Sequence, residues 1–342
     1  MMKKYMMVAM SMIVLAVGLV GCSSKDTKNE TNKTVETNES TETNGTKKAN
    51  NKDTNTEDAN PTRTITDIKG TVEIPSNPQR IVDISGTSDI LSILGYDVVG
   101  TANSDAYDYT RFPSYLEDVL EEAKILGYSM IAEMDVEAII ALEPDLIVIS
   151  TVQEKMYDQL SKVAPVIMLE MKQMDWKEDF MHVATVFGEE EKATEWMNTY
   201  LSKASEVGDR IKETYGKETS YLSFLASSGS LFIFDSAGLG TIFYDDMGLA
   251  KPEGMPEQEN VSLPVVTYEG LAEINSDYIF VVATNEDLAT LTDGSIWNSV
   301  NAVKEGHVIN LTASPYFNQG YSPIGRLAFL EEVEELLAST NE

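Results

Sequence analysis

Between Glu189 and Tyr215, the residues Ala193, Trp196, Met197, Tyr200, Leu201, Ala204, Val207 and Ile211 recur three or four apart, which places one apolar stripe along one helix. That helix is long enough to cross a domain boundary, and it separates two series of alternating patterns. Before it, Ile81 to Ile84, Val98 to Gly100, Lys124 to Leu126, Leu146 to Ile149 and Val166 to Leu169 are short apolar runs of the buried-strand type. Among them, Ser88 to Leu94, Val136 to Leu142 and Lys155 to Val163 carry helical spacing. After it, Ser220 to Leu225, Leu231 to Phe234, Tyr278 to Val282 and Val308 to Leu311 read as strands, with helices near Gly240 to Met247, Tyr268 to Ile274 and Pro323 to Leu337. Strands alternating with helices pack as parallel sheets with helices on their faces. The predicted fold is α/β, two lobes joined by a single helix.

The chain ahead of the first series is of another kind. Thr64 to Asp67 and Thr71 to Ile74 alternate polar and apolar residues around Ile68-Lys69-Gly70, a small hairpin that Pro75 and Pro78 bring to an end. Residues 23–62 are nearly all Ser, Lys, Asp, Thr, Asn, Glu and Ala, with Val35 the lone large apolar residue. Such a segment buries too little surface to offset its ordering entropy and reads as a flexible tether. Before it, Lys3 and Lys4, an apolar run from Met6 to Val20 and the sequence Leu19-Val20-Gly21-Cys22 form an export signal, too short for a comfortable membrane span. Leu-Val-Gly-Cys resembles the lipobox of bacterial lipoproteins, in which the cysteine is acylated and becomes the first residue of the mature chain. An uncleaved anchor helix with an incidental cysteine is the alternative. Cys22 is the single cysteine, so an exported body must draw its stability from a packed core and not from disulfides. The expected organisation is a signal peptide over 1–21, lipidated Cys22 and tether over 22–62, an N-terminal lobe over 63–187, the linking helix over 188–215 and a C-terminal lobe over 216–342.

Charge narrows the partners. The tether carries six lysines against eight acids, and the signal adds two lysines, so the folded part bears essentially the whole formal charge of −31. An acidic body of that size is repelled by nucleic acid and by anionic lipid, so attachment to the membrane falls to the lipid anchor.

Several segments resemble one family. "TITDIKGTVEIPSNPQRI" (Thr64 to Ile81), Leu94-Gly95, "VEAIIALEPDLI" (Val136 to Ile147), "YEGLAEINSDYI" (Tyr268 to Ile279) and "WNSVNAVKEGH" (Trp297 to His307) are similar, in that order, to the ferric-siderophore and cobalamin (class III) substrate-binding lipoproteins of ABC transporters. The likeness spans nearly all of residues 63–340. It implies two Rossmann-like lobes with central, mainly parallel sheets, a rigid interlobe helix, a ligand cleft at the lobe interface, and delivery of the ligand to permease membrane subunits with small closure motions. Elementary topology agrees with the cleft, because open α/β sheets bind ligands beyond the carboxyl ends of their strands. The resemblance also carries Glu137 and Glu269 as the glutamates, one per lobe, that meet arginines on the permease. Their bland reading is as acids favoured near helix N-termini. An acidic surface has the right sign for an arginine-bearing partner.

The candidate ligand contacts lie on strand-end loops, Tyr107, Tyr109, Arg111 and Trp176 from the first lobe and Tyr316, Phe317 and Tyr321 from the second, together with Arg326 as a cleft cation from the helix that follows. A large, partly apolar chelate needs aromatic surface of this kind, although for any single ring packing beneath a loop accounts for it equally well. Arginine is scarce, and Arg111 and Arg326 are the cleft cations to expect. Ferric catecholate and citrate-type complexes are polyanions that favour several cationic donors, so two arginines lean toward a less charged, hydroxamate-like complex. Direct metal binding needs clustered His and carboxylate ligands, whereas His182 and His307 are the only histidines and read as structural. Haem or a corrinoid is the alternative ligand, with Met130, Met171, Met174, Tyr107 or Tyr316 available as an axial partner. A lipid-anchored enzyme is the competing class, but Gly-x-Ser-x-Gly, HExxH and a phosphate-cradling glycine loop are all absent from the sequence. The expectation is a monomeric, cofactor-free binding lipoprotein on the extracytoplasmic face of the cell membrane, which captures a ferric siderophore.

Overall fold

The structure, a computed structural model, describes residues 61–341. The signal peptide, Cys22 and almost all of the tether lie outside the described residues. The expected hairpin is β1 (Thr62–Asp67) and β2 (Gly70–Pro75), antiparallel, with Thr66 opposite Thr71. Its turn is held by Asp67, whose Oδ1 accepts from the backbone of Lys69 and Gly70. The other oxygen accepts from Met168 N at 2.7 Å and pins the hairpin to the body.

The N-terminal lobe follows the predicted alternation closely. Its elements are β3 (Ile81–Asp83), α1 (Ser88–Leu94), β4 (Val98–Thr101), β5 (Lys124–Ile125), α2 (Val136–Ile140), β6 (Leu146–Ser150), α3 (Tyr157–Leu160) and β7 (Val166–Leu169). The strands lie in the order β5-β4-β3-β6-β7, every neighbouring pair parallel. Two helices are shorter than their spacing suggests, each for a local reason. α2 stops before Leu142 because Glu143 takes a φ of 47° and Pro144 follows it. The pattern over Lys155 to Val163 becomes a 3₁₀ stretch (Thr151–Met156) followed by α3. There Gln153 accepts from Ser150 N and donates to the carbonyls of Ser129 and Ile131, which holds its backbone out of the helical region at φ −96°.

Two helices then carry the chain across. α4 (Trp176–Phe187) ends on Gly188, a left-handed cap with φ 75°, and α5 (Glu190–Tyr215) is the long helix. Ala193 at its start is buried in the N-terminal core, whereas Tyr200, Ala204, Val207 and Ile211 are buried in the C-terminal core. Trp196, between them, packs against both. At Gly208 the helix lies against backbone: a Cβ there would stand 2.0 Å from the Met247 carbonyl oxygen.

The C-terminal lobe comprises β8 (Tyr221–Ser227), β9 (Ser230–Ile233), α6 (Gly238–Thr241) running into a π turn (Ile242–Asp246), β10 (Val265–Val266), α7 (Tyr268–Glu273) and β11 (Tyr278–Ala283). It continues through α8 (Asn285–Thr292), α9 (Asn301–Glu305), β12 (Val308–Thr312), α10 (Ala313–Gln319) and α11 (Pro323–Ala338). The order is β10-β9-β8-β11-β12, with β8, β11 and β12 parallel and β9 and β10 antiparallel. The fold is therefore two mainly parallel sheets linked by one long helix. That helix is not the sole tie. Trp176 touches both cores, and Ile324 of α11 packs on the N-terminal one.

Candidate functional site

The loops after the strands of the two lobes face one another, as the topology requires. After β3, the Asp83 carboxylate is wholly buried and accepts from Ser85 Oγ at 2.5 Å and Ser88 Oγ at 2.6 Å, as well as from the backbone of Ser85 and Thr87. That loop is clamped by its own acid. Beyond β4, the loop that carries Tyr107, Tyr109 and Arg111 reaches across to α10. Tyr107 meets Phe317 edge to face with centroids 5.8 Å apart, and Arg111 Nη2 donates to Ser314 Oγ at 3.0 Å. Ser314 donates in turn to the buried Asp105, and Ala106 N donates to Asn318 Oδ1 at 3.1 Å. Asn318 Nδ2 reaches the Tyr128 hydroxyl at 3.2 Å, and Tyr128 stacks on Tyr109 at 5.3 Å. Residues expected to touch a ligand thus touch each other, and the cleft is shut.

Deeper in, the two lobes enclose a cavity of about 30 Å³ lined by Gln173, Met174 and Trp176 on one side and by Ser236 to Gly238, Thr241, Gly320, Tyr321 and Arg326 on the other. Ligand pockets for drug-sized molecules run to about 300–1,000 Å³, so this cavity alone is too small for a whole chelate. The expected chelate-sized pocket is therefore not open in this conformation, because side chains from each rim fill it.

Of the candidate contacts, Trp176, Tyr321 and Arg326 line this cavity, while Tyr107, Tyr109, Arg111 and Phe317 form the rim. Tyr316 stands apart: its hydroxyl donates to Glu332 Oε2 at 3.0 Å and its ring packs on the C-terminal core. Arg326 is not the free cation that the sequence suggests. It is only 2 % exposed, donates to Asp246 Oδ2 at 2.6 Å and to Thr241 Oγ1, and holds its guanidinium carbon 4.7 Å from the Trp176 ring centroid. The Asp246 carboxylate also accepts from the Tyr200 hydroxyl at 2.9 Å and lies 3.3 Å from Lys177 Nζ. The π turn carries Asp246 inward, so that it is buried and not left as a loop charge. Sequence reading also missed Asp89 and Ser322, which join the lobes through a 2.5 Å hydrogen bond. Ser322 before Pro323 does carry a helix-cap signal, and it caps α11 as that signal suggests.

Burial, partly offset by the Ser322 hydrogen bond, pushes the Asp89 carboxyl up to about 6, with the nearby Asp83 charge adding to the rise. Between about pH 4 and pH 6 the folded protein holds a proton there that the unfolded chain has released, so this group favours folding below that window and the contribution is lost as pH rises through it. The Asp89→Asn variant is expected to gain stability relative to the parent between about pH 4 and 7, by about 3 kcal/mol in all. Urea denaturation at each pH checks this; a difference that does not vary with pH would reject it.

Glu137 and Glu269 lie in corresponding places. Each is exposed in the first turn of a short helix, α2 and α7, with Asp135 and Thr267 as the caps. Among the described residues neither carboxylate forms an ion pair. Of the histidines, His307 stacks on Tyr278 at 4.4 Å, and His182 lies inside α4. Among the described residues no three His, Cys, Asp or Glu side chains converge as a metal site.

The sequence profile of the periplasmic binding protein family matches residues 98–315, well over half of the chain. The chain belongs to the periplasmic binding protein family. It is a binding protein and not an enzyme. It is 28 % identical over 263 residues to a probable siderophore-binding lipoprotein, YfiY, of Bacillus subtilis, covering 72 % of this chain and 79 % of that one. It is 26 % identical over 281 residues to the petrobactin-binding protein YclQ of the same organism, covering 78 % and 85 %. Among solved structures, a FhuD-fold binding protein of a ferrichrome ABC transporter from B. subtilis superposes with a TM-score of 0.65 at 26 % identity, over 79 % of this chain and 98 % of that one. The binding protein shares the fold of that solved structure. No described helix is long and apolar enough to cross a membrane.

Proposed function

We propose that this binding protein captures a ferric siderophore outside the cytoplasmic membrane and hands it to an ABC permease, as a monomer held to the membrane by a lipid on Cys22. The observation that carries the reading is the convergence of aromatic and cationic side chains from both lobes on one interlobe cleft, within a family of binding proteins. The lobes correspond to residues 63–187 and 216–342, and Glu137 and Glu269 are the docking points. The cations of the cleft are largely offset: Arg326 by Asp246, and Arg111 by Asp108 at 3.4 Å. That balance favours a chelate of low net charge, hydroxamate-like, over a polyanion.

The test is titration of the detergent-solubilised protein with iron-loaded and iron-free hydroxamate, catecholate and carboxylate chelates, read by tryptophan fluorescence. Trp176 lines the cleft, so iron-loaded hydroxamate chelates are expected to quench while their iron-free forms do not. The absence of quenching and of calorimetric heat with every iron-loaded chelate would overturn the reading.

A further inference from the structure

Two of the residues that line the interlobe cavity each carry an N–H donor without a partner. Trp176 Nε1 and Arg326 Nε are each buried from solvent with no hydrogen bond inside the protein, and both residues line the cavity. Arg326 is 2 % exposed, and its other nitrogens are fixed on Asp246 and Thr241, so the guanidinium cannot swing away to satisfy Nε elsewhere. The indole cannot rotate freely either. Its ring lies under the guanidinium and meets Tyr200 edge to face at 5.2 Å and Trp196 at 6.4 Å.

Buried donors almost always find an acceptor, and a pair held rigidly beside a cavity calls for an oxygen placed in it. The volume of about 30 Å³ suits one such group, since a water needs roughly 10–15 Å³. The wall on the Arg326 side includes backbone at close quarters. A Cβ on Gly320 would stand 2.2 Å from the Gly238 carbonyl carbon, so this wall cannot relax inward to fill the space.

We infer that Trp176 Nε1 and Arg326 Nε form a one-oxygen acceptor subsite at the inner end of the cleft, which takes a carbonyl or carboxylate oxygen projecting from the rim of the bound chelate. The inference rests on the interlobe cleft being the ligand site. It adds that the ligand is read by a single sp² oxygen and not by its apolar surface alone. A chelate that lacks such an oxygen leaves both donors buried and unpaired, and is discriminated against on that account.

Formate and formamide, the smallest carriers of a carboxylate and of a carbonyl oxygen, are the probes. In the ¹⁵N-labelled protein the indole N–H resonance of Trp176, assigned through Trp176→Phe, is expected to shift on titration with one or both, while those of Trp196 and Trp297 stay and equal chloride has no effect. A response to formate alone marks an anionic oxygen; a response to both marks any carbonyl. The Trp176→Phe variant keeps an aromatic face and loses the N–H donor, so it should weaken chelate binding about tenfold. A Trp176 resonance that neither probe moves beyond the chloride control, which is the behaviour of a site holding water only, overturns the subsite. Chelate binding that persists in that case leaves the transport reading intact, whereas failure of every chelate to bind removes that reading by itself.

Discussion

Exchanging Glu137 and Glu269 together for arginine is expected to abolish iron uptake while leaving the affinity for the chelate unchanged. The two carboxylates sit in the opening turns of α2 and α7, one on each lobe, exposed and without an ion-pair partner among the described residues. Neither lines the cavity or belongs to its rim, so the substitution removes no ligand contact. Close charge pairs across protein interfaces couple by about 1.5–7 kcal/mol, and reversing one partner replaces that attraction with repulsion. Even the lower end at both sites lowers productive docking by about a hundredfold. The cost to folding is small, since losing an acid near a helix N-terminus forfeits about 0.3–1 kcal/mol at an exposed position. The measurement pairs radiolabelled-iron uptake in cells that carry only the variant with a chelate titration of the purified variant. Uptake at the parental rate would remove both glutamates from the docking role, and a loss of chelate affinity would show that they act on the cleft instead.

What could be read from the sequence was what depends on periodicity. The strands β3, β4, β6 and β7 fall within a residue or two of their apolar runs, because a strand covered on both faces is apolar throughout and ends where polar residues begin. The stripe on α5 was equally legible, since a helix that lies on two cores must keep one face apolar along its whole length. β10, two residues long, carries no periodicity to read. α10 includes Ser314 at φ −96° and ψ 126° with Pro315 after it, so its pattern is broken from within.

The site was legible as a set of loops and not as a set of contacts. Tyr107 and Phe317 were picked out as aromatics on strand-end loops, but nothing local records that they pack on each other across 210 residues of chain. Arg326 shows the same limit more sharply. Its place on α11 is plain from the sequence, whereas its burial depends on Asp246, which the π turn delivers, and on Trp176 from the other lobe. Pairings of that kind are tertiary, and they decide which cations are left to a ligand.

The junction around Asp246 is where the largest loss of stability is expected. Its side chain has no solvent exposure, and it gathers Arg326 from α11, Tyr200 from α5 and Lys177 from α4, so one carboxylate ties three helices to the π turn. Removing one member of a buried ion pair strands the other charge, which costs about 3–5 kcal/mol. Asp246→Ala leaves Arg326 in that state, with the Thr241 hydroxyl and the face of Trp176 beside it in place of its carboxylate. At about 2–4 °C per kcal/mol for a chain approaching this size, melting is expected to fall by roughly 10 °C. Replacing both partners by apolar residues of similar volume, Asp246→Leu with Arg326→Met, should recover most of the loss, because desolvating the pair offsets much of its attraction. Thermal melts of the parent, the single and the double variant separate the two effects. A single variant that melts within about 2 °C of the parent, about 0.5–1 kcal/mol on that scale, would mean that Lys177 and water relieve the stranded guanidinium and that the junction does not hold the lobes together.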